Sequence, residues 1–260
     1  MFEPQKASCP FLYKYSNADH LEWLHDILLN HSVYFPSHPE LNDPRDGWPL
    51  FKDASVADVT RFLVNGFIQR HPSADIRWLA HEVCVIVFNV KHHGASKLLT
   101  MMEEEFKHQS ERNRIYSLSM AANSDHMWKK YAGHRTGYCL EFANDGIFSY
   151  TREVDYNDAL IEMDLSSPTG MFFFRKTSKW KDEQEARIVM FPRGGDPFLA
   201  LFKAGEHPFV KFDPNLLRRI ILGKNMTATN RDRIRAWASE RIPEVLVVDE
   251  DEIIVLGDGA

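Results

Sequence analysis

The chain has 260 residues, of which 44% are hydrophobic and 12% aromatic, and its formal net charge is −6. This composition excludes an intrinsically disordered chain, because it supplies enough apolar side chains for a large core. The acidic balance excludes a globally basic surface for nucleic acid, and no apolar run is long enough for a transmembrane helix.

The N-terminus and the cysteines indicate the compartment. Residues 1–6 lack the basic and apolar regions of a signal peptide. Cys9, Cys84 and Cys139 are widely separated and form no CxxC pair. We therefore expect free thiols in a cytoplasmic protein that does not enter a membrane.

The first 112 residues begin with mixed elements and then become helical. Alternation predicts short strands at Phe11–Tyr15 and Val33–Phe35, with a helix of about 12 residues between them. Helical spacing then predicts three helices, one near Val56–Gln69, one after a Ser73 cap and one after a Ser96 cap. We expect residues 53–112 to form a helical insertion or lid.

The remaining residues alternate strands with helices at irregular intervals. Helices are expected at Asp125–Tyr131 and Thr229–Glu240. The expected strands are Arg114–Met120, Gly137–Phe142, Arg152–Tyr156, Glu183–Phe191, His207–Phe212, Arg219–Leu222, Val245–Val248 and Ile253–Leu256. Because no regular βαβ rhythm is present, the sequence predicts a single α+β domain over residues 1–260, with mixed, mostly antiparallel sheets.

The predicted strand from Glu183 carries the most site-like pattern. Alternate side chains of a strand point to opposite faces, so Glu183, Glu185 and Arg187 are expected on one face and the apolar residues on the other. Residues two apart on one face lie roughly 6.5–7 Å from each other, so the two glutamates could share a ligand or a proton. A solvated sheet surface with an Arg–Glu pair gives the same pattern, and both interpretations stay open.

A second segment with polar and aromatic residues precedes the strand Gly137–Phe142. Trp128 and Tyr131 are three residues apart on a predicted helix and share a face, as core residues also do. His134 and Arg135 lie in the following turn. Together with the glutamate strand, these residues could line a polar cleft for a nucleotide or dinucleotide, in which aromatic rings stack, Arg or His binds phosphate and a carboxylate holds a ribose hydroxyl.

Several signals of other chemistries are absent from the sequence. It contains no P-loop, GxGxxG, GxSxG or HExxH motif, and its 12 histidines show no metal-ligand spacing. We expect no metal site. A Mg²⁺-dependent nuclease using Asp182 and Glu183 is disfavoured, because adjacent strand residues face opposite ways.

Motifs spread over nearly the whole chain resemble one bacterial family. They are Leu12 to Tyr15, Val33 to Ser37, Asn42 to Pro44, Tyr116 to Ser119, Met127 to Ala132, Gly137 to Phe142, Lys176, Trp180, Glu183-x-Glu185-x-Arg187 and Ile220 to Gly223. In that order they resemble the family catalogued as domain of unknown function 2971, whose function is not established. The chain departs from the family at Ala186, where the family usually has Trp, and at Arg135, where the family tends to have His.

The order of an aromatic strand with a basic residue, a helix and a late Glu-x-Glu strand is also similar to ADP-ribosyltransferases of the Arg–Ser–Glu type. That similarity implies that Glu185 is the catalytic carboxylate beside the nicotinamide ribose and that Glu183 activates the acceptor. It implies Lys14, in place of the family's Arg, as a phosphate contact, and Ser117-Leu118-Ser119 as the serine strand. The further cofactor-binding residues would be Tyr15, Trp128, Tyr131, His134, Arg135 and Arg187.

Two functional hypotheses result. The first is an NAD-consuming enzyme, ADP-ribosyltransferase-like or an NAD glycohydrolase, which uses NAD as substrate and an unknown macromolecular acceptor in a toxin or phage-defence system. The second is a non-catalytic binding or accessory protein of a defence or regulatory system. In the second hypothesis Glu183, Glu185 and Arg187 form a charge network that fixes the fold.

Overall fold

The computed structural model describes residues 4–41, 43, 46–51, 55–159, 161–163, 165, 171–190 and 209–257. The chain divides into two compact units. Unit 1 contains Met1–Pro36, Arg114–Asp158 and Lys176–Ala260, and unit 2 contains Ser37–Asn113 and Ala159–Arg175. Among the helices described, none is both long and apolar enough to cross a membrane.

The strands and helices of the described residues are as follows. The strands are β1 Phe11–Ser16, β2 Ser32–Tyr34, β3 Arg114–Ser119, β4 Tyr138–Ala143, β5 Arg152–Glu153, β6 Asp155–Tyr156, β7 Arg175–Lys176, β8 Glu185–Met190, β9 Phe209–Lys211, β10 Leu217–Leu222 and β11 Leu246–Asp249. The helices are α1 Leu21–Asn30, α2 Val56–Arg70, α3 Ile76–His92, α4 Ala95–Ser110, α5 Asp125–Lys130, α6 Ala228–Arg241 and α7 Glu250–Gly257. A short 3₁₀ helix at Ser178–Glu183 precedes β8.

Unit 1 is built on a seven-stranded sheet within the described part of the chain, in the order β11-β10-β4-β1-β3-β8-β5. Neighbouring strands are antiparallel except for β10 and β11, which are parallel. This mixed, mostly antiparallel sheet with helices confirms the α+β class expected from the sequence.

The two faces of the sheet differ in chemistry. Directly paired residues of antiparallel strands point to the same face. Leu12, Leu140 and Ala186 therefore belong to one face, which forms the larger buried apolar cluster of unit 1 with helices α1 and α6. The opposite face carries a line of paired residues across five adjacent strands, here called the polar row: Arg219, Glu141, Tyr13, Ser119 and Glu185.

The polar row does not face solvent. Glu141, Tyr13, Ser119 and Glu185 are all buried, and Glu141 makes a two-bond ion pair with Arg219, at 2.8 and 2.5 Å. Residues of α5 and the turn after it, including Met127, Trp128 and Ala132, form a second buried cluster with Tyr13 and Tyr15 on this face. The interpretation of the glutamate strand as a solvated surface therefore does not describe this sheet.

Unit 2 contains helices α2, α3 and α4, so the residues expected as a helical insertion at 53–112 lie within it. The helix expected after Ser73 begins at Ile76 instead. The reason is that the side chain of Asp75 accepts hydrogen bonds from the backbone N–H groups of Arg77 and Trp78 and caps the helix there. Val90 is the one buried residue of α3 in the described structure.

Other expected elements also differ from those found. The glutamate strand begins at Glu185 and not at Glu183. Glu183 ends the 3₁₀ helix, and Gln184, whose backbone is left-handed with φ of 43°, separates that helix from the strand. Residues 253–256, expected as a strand, belong to helix α7, whose first turn holds three acidic residues that suit the positive end of a helix dipole. Phe191 and the start of the expected strand His207–Phe212 lie outside the described residues.

Candidate functional site

The carboxylate of Glu183 accepts hydrogen bonds from three side chains. It accepts hydrogen bonds from the ammonium of Lys130 at 2.8 Å and the hydroxyl of Tyr131 at 2.6 Å, both at Oε1. The ammonium of Lys176 donates to Oε2 at 2.6 Å. Glu183 is only 2% exposed. Glu183 is the last residue of the short 3₁₀ helix that precedes β8.

The carboxylate of Glu185 is saturated in the same way. Nε of Arg187 donates to Oε1 at 2.6 Å, and Nη2 donates to Oε2 at 2.9 Å. Lys176 bridges the two glutamates, because its Nζ also lies 3.0 Å from Oε2 of Glu185. Glu185 and Arg187 are 6% and 1% exposed. Lys130, Tyr131, Lys176, Glu183, Glu185 and Arg187 are called the charge network below.

The cations of the charge network keep both carboxylates ionised. Burial by itself is the largest influence and would raise the pKa of each glutamate. The charges of Arg187 and Lys176 outweigh burial at Glu185, and hydrogen bonds from Lys130 and Lys176 do so at Glu183, so the pKa of both groups is lowered. At neutral pH neither glutamate holds a proton to donate.

Lys14 approaches the network from the other face of the sheet. It is paired with Leu140 on the apolar face, and its Nζ donates to the backbone carbonyl of Ser117 at 2.8 Å and lies 4.9 Å from the ring centroid of Tyr116. Burial lowers the pKa of Lys14 to about 8, although the charge of Glu185 acts in the opposite direction. The ammonium is thus occupied with holding β3 to β1.

Tyr15 and Trp128 belong to the second buried cluster, which residues of α5 form with the sheet. Their rings meet edge to face with centroids 5.2 Å apart, and the Tyr15 hydroxyl donates to the carbonyl of Ala121 at 2.8 Å. Trp128 is completely buried. Both rings therefore pack in the core, the alternative that the sequence pattern also allowed for Trp128.

His134 and Arg135 lie in a left-handed turn after α5. Gly133, His134 and Arg135 all have positive φ, of 54°, 54° and 72°. Arg135 forms ion pairs with Asp125 and with the buried Glu250. Hydrogen bonds from Lys129 and Arg135 lower the pKa of Asp125 to about 2. Both of these ion-pair partners of Arg135 lie outside the charge network.

The structure thus joins Glu183, Glu185, Arg187 and Tyr131 of the expected site, and it places Tyr15, Trp128, His134 and Arg135 elsewhere. Sequence reasoning did not assign a role to Lys130 or Lys176. Two further residues at the network were also missed: the Tyr156 hydroxyl accepts from the Glu185 N–H at 2.6 Å, and the Trp180 ring centroid lies 3.4 Å from Nζ of Lys130. In the sequence, Lys130, Lys176 and Trp180 were marked only by belonging to the motifs that resemble one bacterial family.

No cluster of three or more metal-ligating side chains was found within the described residues. Comparisons with family models, with curated proteins and with solved structures found no match for this chain.

Proposed function

We propose that the chain is a binding protein whose charge network holds a phosphorylated ligand of the nucleotide class, and that Glu183, Glu185 and Arg187 serve the architecture of that site. The observation that carries this proposal is the saturation of both buried carboxylates by cations from α5, β7 and β8. A non-catalytic role is favoured because each carboxylate is already bound by two cationic side chains.

The geometry of Glu185 is unfavourable for catalysis at a ribose. A carboxylate that stabilises an oxocarbenium-like transition state must lie against the sugar. Both oxygens of Glu185 are held by Arg187, the second also by Lys176, and the residue is buried. Displacing these donors would leave a buried guanidinium without its partner, which typically costs about 3–5 kcal/mol.

The charge balance favours an anionic ligand. Lys130, Lys176 and Arg187 bring three positive charges to two carboxylates in the described network. The Lys130 side chain is 30% exposed, so the network reaches the surface there. Lysine ammonium groups beside an aromatic ring are suited to the phosphates of a nucleotide.

NAD cleavage is the second candidate, and one contact favours it. The side chain of Ser117 on β3, a strand paired with β8, contributes to lowering the pKa of Glu185. A serine beside the glutamate is what the similarity to ADP-ribosyltransferases implies. In this candidate Glu185 is the catalytic carboxylate, and the protein releases nicotinamide from NAD.

One set of measurements on the wild type and Glu185→Gln separates the two candidates. Titration calorimetry with NAD, ATP and ADP-ribose measures binding, nicotinamide release from NAD measures turnover, and urea unfolding measures stability. Glu22→Gln is the matched control, because Glu22 forms an exposed pair with His20.

We expect at least one phosphorylated nucleotide to bind, no nicotinamide to be released, and Glu185→Gln to lose about 3–5 kcal/mol of unfolding free energy. Glu22→Gln should unfold like the wild type. Absence of binding by all three nucleotides would contradict the proposal. Nicotinamide release that disappears in an equally stable Glu185→Gln protein would replace it with NAD cleavage.

A further inference from the structure

The indole ring of Trp180 is surrounded by three lysine ammonium groups. The Nζ atoms of Lys130, Lys179 and Lys176 lie 3.4, 4.9 and 5.2 Å from its ring centroid. Cation–π attraction offsets part of the repulsion between these like charges. Glu183 binds Lys130 and Lys176, and Glu185 also binds Lys176.

Two buried ring nitrogens at this place have no hydrogen-bond partner among the described residues. They are Nε1 of Trp180 and Nε2 of His126. The indole N–H can only donate, and leaving a buried donor without an acceptor is unfavourable. Nε2 of His126 lies 4.0 Å from Oε1 of Glu183, which is too far for a hydrogen bond. An acceptor from outside the described chain would satisfy these groups.

We infer that Trp180, His126, Lys130 and Lys179 form a subsite for a phosphate group, an assignment that rests on the proposed nucleotide-binding function. Every polar group named is a donor or, for the imidazole, becomes one in the appropriate tautomer. The three ammonium charges repel a metal ion and attract an anion. Lys179 and Lys181 are exposed on the same 3₁₀ helix, which also carries the exposed Asp182, so the Lys179 side of the subsite lies at the surface.

The indole N–H of Trp180 offers a direct probe of the subsite. The chain has six tryptophans, so a ¹H–¹⁵N spectrum contains six indole signals, and Trp180→Phe assigns the one that disappears. The ligands are pyrophosphate, ATP and adenosine, and titration calorimetry on the same samples gives their affinities. Trp23→Phe is the control, because Trp23 is exposed and stacks on His20.

We expect pyrophosphate and ATP to shift the Trp180 signal and adenosine to leave it unchanged. Trp180→Phe keeps an aromatic ring and removes the donor, so affinity for both phosphates should fall about tenfold, whereas Trp23→Phe should bind normally. A second pair of variants alters exposed side chains only. Lys179→Met should weaken the binding of both phosphates, whereas Lys181→Met, on the same helix, should not.

The outcomes distinguish the subsite from the proposed function. ATP binding that is equal in the wild type, Trp180→Phe and Lys179→Met would overturn the subsite and leave nucleotide binding standing. Pyrophosphate binding through Trp180 without any nucleotide binding would support the subsite and overturn the nucleotide class. A Trp180 signal that moves with adenosine and not with pyrophosphate would overturn the phosphate assignment.

Discussion

Arg187 is among the largest fully buried side chains described, and it carries a permanent charge. Its Glu185 partner neutralises it, and Glu185 in turn shares Lys176 with Glu183. Removing one member of such a chain leaves another charge buried without compensation, so the residues act as a unit and their mutational effects should not add. Double variants of Glu185 and Arg187 should therefore lose less stability than the sum of the single variants.

Lys14 should give the protein a distinctive pH dependence. Its pKa of about 8 in the folded protein lies below the ordinary value of about 10.4, so between these values the unfolded chain binds more protons. The contribution of Lys14 to unfolding free energy therefore rises with pH in this window, by at most about 1.4 kcal/mol per pH unit. Urea unfolding of the wild type and Lys14→Met from pH 7 to pH 10 measures it.

We expect the stability difference between the wild type and Lys14→Met to shift in favour of the wild type as pH rises. The difference removes contributions from tyrosines, such as Tyr116, whose pKa is raised by burial. Lys181→Met, which alters an exposed lysine, should keep the wild-type dependence. Parallel curves for the wild type and Lys14→Met would show that Lys14 titrates normally.

At the scale of elements, Gly137 sets the closeness of β1 and β4. A Cβ atom at this position would lie 2.1 Å from the backbone carbonyl oxygen of Ser16. Because this oxygen belongs to the backbone and not to a flexible side chain, the clash can be relieved only if the backbone moves. Gly137→Ala should therefore cost about 1–3 kcal/mol of unfolding free energy through forced backbone movement. Urea unfolding at neutral pH is the measurement.

Gly94→Ala is the matched control for Gly137→Ala. Gly94 lies between α3 and α4, and a Cβ there meets nothing within 4 Å. We expect its unfolding free energy to stay within about 0.5 kcal/mol of the wild type. Equal stability of the two variants would mean that β1 and β4 can separate at Gly137 without loss.

Local patterns predicted most elements and few of the contacts that form the site. Alternation located β3, β4 and β8, and spacing with caps located α2 and α6, because these signals act over a few residues. The turn at Gln184 could not be foreseen, since a left-handed non-glycine residue leaves no pattern. The pairing of Lys130 with Glu183 could not be foreseen either, because the two residues are 53 positions apart and meet only when the sheet is complete.

The whole molecule should show strongly uneven protection of its backbone. All six residues of β4 are buried between two strands, whereas α3 buries only Val90 among the residues described. Hydrogen exchange requires local opening, which is easier where few apolar contacts must be broken. In exchange followed by mass spectrometry, we expect peptides from β4 to exchange much more slowly than peptides from α3.

Peptides from α2 provide an internal comparison for α3, because α2 buries Val59, Phe62, Leu63 and Gly66. They should exchange at an intermediate rate. Protection of α3 equal to that of β4 would mean that α3 opens only with the global unfolding of the chain.

The polar row also has a consequence for folding during synthesis of the chain. Glu141 and Arg219, which close their ion pair on β4 and β10, are 78 residues apart. A growing polypeptide leaves the ribosome from its N-terminus, so Glu141 emerges long before its guanidinium partner exists. Until Arg219 arrives, the sheet cannot close over Glu141 without burying a carboxylate whose charge is not neutralised. A message that stops before codon 219 should therefore yield a product that chaperones and proteases recognise as unfinished.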